Sequence, residues 1–146
     1  MDIDASSASR RHECYTGSVN NRSGDWLRQA EDDLLWARDT LQAERWAQCC
    51  FVAQQTAEKA LKALALHRGY ETVRTHSITE TAKALGENGE LERMGKRLDL
   101  YYISARYPDA FPAGAPFEYF TRDQADEAVS FAESIIRIIR VKIGHD

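Results

Sequence analysis

The chain has 146 residues, of which 43% are hydrophobic and 29% are charged, with only 8 glycines and 3 prolines. This length suits one compact domain, and the composition excludes intrinsic disorder for most of the chain. The formal net charge of −4 gives no overall attraction to nucleic acid, although a local basic cleft is compatible with it. Because no apolar run approaches the roughly 18 residues of a membrane helix, we expect a cytoplasmic protein without a membrane partner.

The beginning of the chain differs in character from the rest. Residues 1–22 show no apolar periodicity, so we predict a disordered or frayed N-terminal extension there and a single helical domain over residues 23–146. The three cysteines, Cys14, Cys49 and Cys50, form neither a CxxC pair nor a Cys/His metal spacing. We therefore predict no metal and no cofactor, with Cys49 and Cys50 as core residues in a reducing compartment.

Helical periodicity begins after this extension. Apolar residues recur at three- and four-residue intervals from Leu27 to Leu41, which predicts a first helix. A second helix is predicted from Trp46 to His67, with Gly69 placed to end it. Its polar side carries a stripe at helical spacing, formed by Gln55, Glu58, Lys59 and Lys62. A solvent-exposed face with an internal ion pair is the alternative interpretation of this stripe.

Two shorter helices are predicted next. Ser77 with Glu80 forms a capping-box pattern, which predicts the start of a short third helix. Apolar residues from Leu91 to Tyr102 then predict a fourth, amphipathic helix. The periodicity of this fourth helix does not decide whether Tyr101 or Tyr102 faces the core.

The last predicted helix follows a loop over residues 106–120 that contains all three prolines. Thr121 with Gln124 forms a second capping-box pattern at its start. Its apolar arc, which includes Ile135 and Ile138, is wide, as is typical of a central helix or of one shared with a dimer partner. Since no strand-like alternation of useful length is present, the sequence predicts an all-α, antiparallel, up-and-down bundle of four to five helices.

Four segments of the sequence carry a resemblance to a known family. They are AQQTAEKALKAL (53–64), RTHSI (74–78), ARYPDAF (105–111) and YFTRDQADEAVSFA (119–132). In this order and spacing they resemble the HEPN domain, a name that abbreviates "higher eukaryotes and prokaryotes nucleotide-binding". The resemblance implies an antiparallel four-helix core that is usually paired into a homodimer. It also implies a partner, because small free-standing members are often encoded beside a minimal nucleotidyltransferase in a toxin–antitoxin-like module.

Many members of that family are metal-independent ribonucleases whose active site is an Arg followed, after four to six residues, by a His. In this sequence no His follows Arg106 at that distance. The literal match, Arg140 with His145, lies in the last turn of the final helix, where a cation is expected for electrostatic reasons alone. The sequence therefore leaves open whether the protein is an enzyme.

Arg106 is nevertheless the first candidate site residue, because a guanidinium group binds two phosphate oxygens at once. Tyr107 beside it is suited to stacking on a base. Other residues of a local positive pocket that would bind a nucleotide or an RNA phosphate are Arg74, Lys59, Lys62 and Gln55. The alternative for Arg106 is a surface ion pair with Glu58 or Asp109.

Metal-free RNA cleavage also needs a base that takes a proton from the 2′-hydroxyl group, which an arginine cannot easily supply. His76 fills this role if it converges with Arg74 and Arg106 in the folded bundle. The catalytic candidates are therefore Arg106, His76 and Tyr107. The alternative for His76 is a structural one, in which it caps the third helix or donates to a backbone carbonyl group.

Three functional hypotheses follow from these residues. The first is a dimeric binding protein for a nucleotide or an RNA phosphate that works with a nucleotidyltransferase. The second is a metal-independent ribonuclease with a non-standard active site. The third is a pure dimerisation or interaction module, in which Ile135 or Ile138 of the last helix lies at the interface.

Overall fold

The computed structural model describes residues 1–4 and 21–145, and the structural statements below concern these residues. Two short strands and a series of helices follow one another along the chain. They are β1 (Asp2–Ile3), α1 (Ser23–Gln42), α2 (Trp46–His67), β2 (Thr72–Val73), α3 (Ile78–Ala84), α4 (Glu90–Asp99), α5 (Tyr101–Ser104), a 3₁₀ turn (Pro108–Ala110), α6 (Pro116–Tyr119) and α7 (Arg122–His145).

Ion pairs between helices give the direction of α7 relative to α1. Arg38 of α1 lies 2.6 Å from Glu133 of α7, and Glu31, earlier in α1, pairs with Arg140, later in α7. Since residue numbers rise along α1 as they fall along α7, these two helices are antiparallel. The short connection after α1 makes α2 antiparallel to α1 as well.

The fourth member of the bundle is α4. Arg97 lies 2.8 Å from Glu127 of α7, and Arg93, one turn earlier, lies over the ring of Phe131, one turn later. Thus α4 is antiparallel to α7, and α1, α2, α4 and α7 alternate in direction. The predicted all-α, up-and-down bundle is confirmed. In the described part of the chain, no helix is both long and apolar enough to cross a bilayer.

The centre of the bundle is filled by α2 and α7. Alanines along α2 permit close approach of its neighbours, while leucines of α2 and isoleucines of α7 are among the largest fully buried side chains. Ile135 is fully buried within the single chain, and Ile138 packs against the same core. The wide apolar arc of α7 therefore belongs to a central helix. The placement of Ile135 at a dimer interface is wrong, because this side chain has no exposed surface to offer a partner.

The N-terminal residues depart from the predicted extension. Asp2–Ile3 pairs in parallel with Thr72–Val73, and Ile3 is buried in the core. Residues 5–20 lie outside the described part of the chain, so the prediction for them remains a prediction. At residues 1–4, however, the expected fraying is wrong, because backbone pairing and burial of Ile3 hold the strand in place. A two-residue strand is too short to produce a recognisable sequence pattern.

Gly95 allows α4 to pack closely against the start of α3. A β-carbon at residue 95 would lie 2.8 Å from Cγ2 of Ile78 and 3.3 Å from the backbone nitrogen of Thr79. Ile78 is buried and β-branched, so it cannot easily move away. We expect Gly95→Ala to lower the free energy of unfolding by about 1–3 kcal/mol, measured by urea denaturation. The control is Gly144→Ala in open space on α7, and equal stability of the two variants would contradict this packing.

Cys49 and Cys50 are buried in α2, which confirms their prediction as core residues. Burial raises the pKa of the Cys49 thiol to about 11 and also raises the pKa of Cys50. Because only the thiolate is an effective nucleophile, we expect neither thiol to react with Ellman's reagent in the folded protein. The measurement uses a Cys14→Ser background, since Cys14 lies outside the described residues. Rapid reaction before denaturation would show that the burial is wrong.

The raised pKa of the Cys49 thiol also predicts how the free energy of unfolding depends on pH. The folded state keeps Cys49 protonated above the ordinary thiol pKa of about 8.5, whereas the unfolded state releases this proton. The stabilising contribution is therefore complete below that value and is lost as the pH rises toward about 11. The free energy of unfolding should fall between about pH 8 and about pH 10, and Cys49→Ala should reduce this slope. An unchanged slope would contradict the assignment to Cys49.

Candidate functional site

Arg106 lies just after α5 and is surrounded by aromatic rings. Its guanidinium carbon is 4.4 Å from the ring centre of Phe51, 4.6 Å from that of Tyr102 and 4.8 Å from that of Tyr107. Its Nε donates a hydrogen bond of 2.8 Å to the backbone carbonyl of Tyr102. Cation–π attraction and this hydrogen bond hold the guanidinium group in place without neutralising its charge.

The charge of Arg106 has no acidic partner in residues 1–4 and 21–145. The sequence offered an ion pair of Arg106 with Glu58 or with Asp109 as alternatives. Neither ion pair forms among these residues, and Glu58 contacts His76 instead. Within the same residues, its two Nη groups have no hydrogen-bond acceptor. Arg106 is thus a partly buried, oriented cation that can accept an anionic ligand.

His76 and Glu58 are linked to Arg106 through Tyr102, whose ring contacts both Arg106 and His76. The imidazole ring of His76 stacks on Tyr102 with a centre-to-centre distance of 5.0 Å and an interplanar angle of 15°. Its Nδ1 lies 3.1 Å from Oε1 of Glu58. One set of contacts therefore connects the guanidinium, the phenol ring, the imidazole and the carboxylate. We call this set the Arg106 cluster, and its members are Phe51, Glu58, His76, Tyr102, Arg106 and Tyr107.

The two titratable members of the Arg106 cluster differ in exposure. The side chain of Glu58 is only 16% exposed, whereas that of His76 is 62% exposed. Burial raises the pKa of Glu58, and the nearby charges of His76, Lys59 and Lys62 counteract part of this rise. The carboxyl group therefore lies in a less polar environment than water, with its contact to His76 directed toward the surface.

Gln54 fixes the backbone of His76 against α2. This fully buried side chain donates from Nε2 to the carbonyl oxygen of His76 at 2.9 Å. The same Nε2 lies 3.4 Å from Oδ1 of Asp99. A buried amide that satisfies its donors in this way positions both of its partners.

Asp99, the last residue of α4, holds the beginning of α3. Its carboxylate accepts hydrogen bonds of 2.9 Å from the backbone nitrogens of Ile78 and Thr79 and from the hydroxyl group of Ser77. The Ser77 hydroxyl in turn accepts from the backbone nitrogen of Glu80 at 3.0 Å, which confirms the predicted helix cap. Asp99 therefore supports the segment that carries His76.

The remaining predicted pocket residues contact other parts of the molecule. Lys59 pairs with Asp33, a buried residue of α1, and Nζ of Lys62 lies 3.8 Å above the ring of Trp26. These two cations therefore face α1.

Gln55 and Arg74 also have defined partners. Gln55 donates to the side chain of Gln54 at 2.8 Å. The guanidinium group of Arg74 pairs with Asp2 of β1 at 3.0 Å. The structure thus brings Arg106, Tyr107 and His76 into one cluster, whereas Arg74, Lys59 and Lys62 bind acidic or aromatic groups outside it. Arg140, from the literal Arg/His match, pairs with Glu31.

Phe51, Tyr102 and Asp99 were not among the predicted site residues. Phe51 and Glu58 are seven residues apart on α2 and therefore share a helix face, which is a signal that the sequence contained. The structure also resolves the choice between the adjacent tyrosines, since Tyr101 is buried, which raises its pKa to about 12, and Tyr102 contacts Arg106. No sequence signal singled out Asp99.

The helical bundle thus presents one arginine between aromatic rings, linked through the ring of Tyr102 to a carboxylate–imidazole pair. The model of the HEPN domain matches residues 23–142, and the chain belongs to this family. Its fold is similar to the crystal structure of TT1696 from Thermus thermophilus, with 42% identity and a TM-score of 0.79. This match covers 84% of our chain and 98% of that one.

The chain is also similar to two further solved structures and to one further protein. The crystal structure of ST0689, described as an archaeal HEPN homologue, is 37% identical with a TM-score of 0.73, over 84% of our chain and 98% of that one. The HEPN domain protein TM0613 from Thermotoga maritima is 28% identical with a TM-score of 0.66, and the match covers 84% of our chain and 99% of that one. "Putative toxin MJ1304" of Methanocaldococcus jannaschii is 23% identical over 79% of our chain and 84% of its own.

Proposed function

We propose that this HEPN-domain protein binds the phosphate group of a nucleotide or of RNA at Arg106. The proposal rests on the guanidinium group of Arg106, which is held in a fixed orientation but has no acidic partner among the described residues. Three aromatic rings and one carbonyl group hold it, and its Nη groups have no acceptor within the described residues. A planar guanidinium group matches two phosphate oxygens, and an orientation fixed in advance reduces the entropy lost on binding.

The aromatic members of the Arg106 cluster favour a nucleotide over a simple anion. Tyr107 is 47% exposed, so its ring is accessible to a base. Stacking of an unpaired base on an aromatic side chain contributes about 1–3 kcal/mol in single-strand binding proteins. A nucleotide supplies both the phosphate for Arg106 and a ring for Tyr107. Because the net charge of the chain is −4, we expect the RNA to bind at a local site and not along a broad positively charged surface.

The test is a fluorescence-anisotropy titration with a labelled single-stranded RNA of about ten nucleotides. An oligomer with the same bases and an uncharged backbone is the matched control. Saturable binding of the RNA that weakens with added salt, together with little binding of the neutral oligomer, is the expected result. Equal binding of the two oligomers would overturn the role of phosphate, and the absence of RNA and nucleotide binding would overturn the proposal.

The assembly that we propose is a homodimer that pairs with a minimal nucleotidyltransferase in a toxin–antitoxin-like module. Apolar side chains that are at least half exposed, Leu100 and Ile103, lie just before Arg106, and Phe117 is also exposed. An exposed apolar surface of this kind is typical of a protein–protein interface. The name of the relative from M. jannaschii supports a toxin-like role. Ile103→Asp should convert a dimer into monomers in light-scattering measurements, and a monomeric wild-type protein would contradict the homodimer.

A metal-independent ribonuclease with a non-standard active site is the second candidate function. The observation that favours it is the contact of both Arg106 and His76 with the ring of Tyr102. This arrangement links a candidate base and a candidate phosphate ligand through one aromatic ring. It predicts RNA cleavage in the presence of a chelator, with loss of cleavage in His76→Ala. If the wild-type protein cleaves no RNA even at high concentration, the ribonuclease hypothesis is wrong and only the binding function remains.

A further inference from the structure

The hydrogen-bond donors of Arg106 that remain available lie on one edge of its guanidinium group. A guanidinium group can offer a phosphate two paired edges, one formed by Nε with one Nη group and the other by the two Nη groups. Nε of Arg106 already donates to the backbone carbonyl of Tyr102, which uses the first edge. The rings of Phe51, Tyr102 and Tyr107 surround the guanidinium carbon at 4.4–4.8 Å. The edge formed by the two Nη groups is therefore the one left for an anion, and it matches one phosphate group.

The charges around this edge suit one phosphate and not a row of them. Arg106 is the single arginine or lysine of the Arg106 cluster, and Glu58 adds a carboxylate to the same cluster. The other cations that the sequence placed in this pocket contact groups outside the cluster, namely Lys59, Lys62 and Arg74. A strand that passed through the site would therefore meet a cation at one phosphate, and the cluster offers no arginine or lysine to the phosphates on either side.

A terminal phosphate makes better use of such a site than an internal one. At pH 7 a phosphate monoester carries a charge of about −1.5 to −2, whereas each phosphodiester within a strand carries a single negative charge. Hydrogen bonds from a guanidinium group strengthen with the charge of the acceptor. A monoester is also attached to its ligand on one side only, so it can enter a recess, whereas a phosphodiester has a sugar on both sides. Arg106 and the rings of Phe51 and Tyr102 are half-buried, which gives the site this recessed character.

We propose that the Arg106 site is selective for a phosphate monoester attached to a nucleoside, in preference to the internal phosphodiesters of a strand. A nucleoside monophosphate and the phosphorylated end of a strand share this chemistry. The half-exposed ring of Tyr107, beside the guanidinium group, provides the surface on which the attached base stacks. This inference rests on the proposed function and narrows its ligand.

The first test compares forms of one short single-stranded RNA that differ only at an end. One pair has a 5′-phosphate or a 5′-hydroxyl group with a fluorescent label at the 3′ end, and a second pair reverses these positions. In at least one pair the phosphorylated RNA should bind about 10-fold more tightly. Arg106→Ala should abolish this difference, whereas Arg93→Ala, a control outside the cluster, should keep it. Equal affinities within both pairs would overturn the selectivity but not the proposed function, and failure of every RNA and of adenosine monophosphate to bind would overturn both.

The second test identifies the source of the phosphate monoester by calorimetric titration of the wild-type protein. Adenosine monophosphate should bind about 10-fold more tightly than the dinucleoside ApA, whose phosphate is a diester. Tighter binding of the phosphorylated RNA than of adenosine monophosphate would assign the site to a strand end, and the reverse order would assign it to a mononucleotide. Equal binding of adenosine monophosphate and ApA would overturn the selectivity.

The dependence on salt counts the phosphates that contact the protein. For phosphorylated RNAs of increasing length, the logarithm of the binding constant should fall with the logarithm of the salt concentration with a slope of about −0.7, the value for one contact on a single strand. A slope that becomes steeper as the RNA becomes longer would show that internal phosphates also bind, and would overturn the inference while leaving the proposed function in place.

Discussion

Arg106→Ala is expected to weaken the binding of single-stranded RNA by about 10- to 100-fold, because charge-assisted hydrogen bonds contribute about 1.5–3 kcal/mol. The side chain is partly exposed and contacts the surfaces of aromatic rings, so its removal should leave helical content unchanged. Arg106→Lys should bind with intermediate affinity, since lysine keeps the charge but loses the planar pair of donors. Anisotropy titrations and circular dichroism provide the two measurements.

Arg93→Ala is the matched control for this variant. Arg93 also lies over an aromatic ring, with its guanidinium carbon 5.7 Å from the centre of Phe131, but it belongs to the interface of α4 with α7. Its replacement should leave RNA binding unchanged. If Arg93→Ala and Arg106→Ala weakened binding equally, a general effect of positive charge would explain the result and the site at Arg106 would be excluded.

Asp99→Ala is expected to lower the free energy of unfolding by about 2–4 kcal/mol, the largest stability effect of a polar substitution in the site. This change removes the acceptor for the backbone nitrogens of Ile78 and Thr79 and for the Ser77 hydroxyl group. It also deprives Gln54, which is fully buried, of one partner. Asp99→Asn keeps one acceptor oxygen and should be affected less. Urea denaturation measures these differences.

The comparison for Asp99 is Asp109, an exposed acid on the 3₁₀ turn after Arg106. Asp109→Ala should change stability by no more than about 0.5 kcal/mol. Because Asp99 supports the His76 segment and not Arg106, folded Asp99→Asn protein should still bind RNA. Similar stability of Asp99→Ala and Asp109→Ala would contradict the role of Asp99 as a cap and tether for α3.

The helices were predictable because their signals are local. Apolar spacing predicted α1, α2 and α7, and the hydroxyl groups of Ser77 and Thr121 form the caps that their spacing predicted. The short strands were not predictable, because two residues carry no periodicity and their pairing joins distant parts of the chain. The central position of α7 also depended on tertiary packing, since a wide apolar arc has the same pattern whether a core or a partner covers it.

The site was predictable only in part, for a related reason. Arg106 and Tyr107 were predicted from a local motif, and both belong to the cluster. The stripe on α2 combined residues that the folded helix separates, since Lys59 points toward Asp33 and Glu58 toward His76. Neighbouring residues on a helix differ in direction by about 100°, so a polar stripe can serve two interfaces. The partner of each side chain is set by the neighbouring elements, which spacing along one helix does not define.

The most direct measurement follows the guanidinium group of Arg106 itself while a nucleotide is added. In a protein labelled with ¹⁵N, the Nε–H resonance of Arg106 should shift progressively and saturably with single-stranded RNA or with adenosine monophosphate. The corresponding resonance of Arg93 should remain in place. An unperturbed Arg106 resonance at concentrations that saturate binding, with shifts at arginines elsewhere on the bundle, would contradict the assignment of the ligand to this residue.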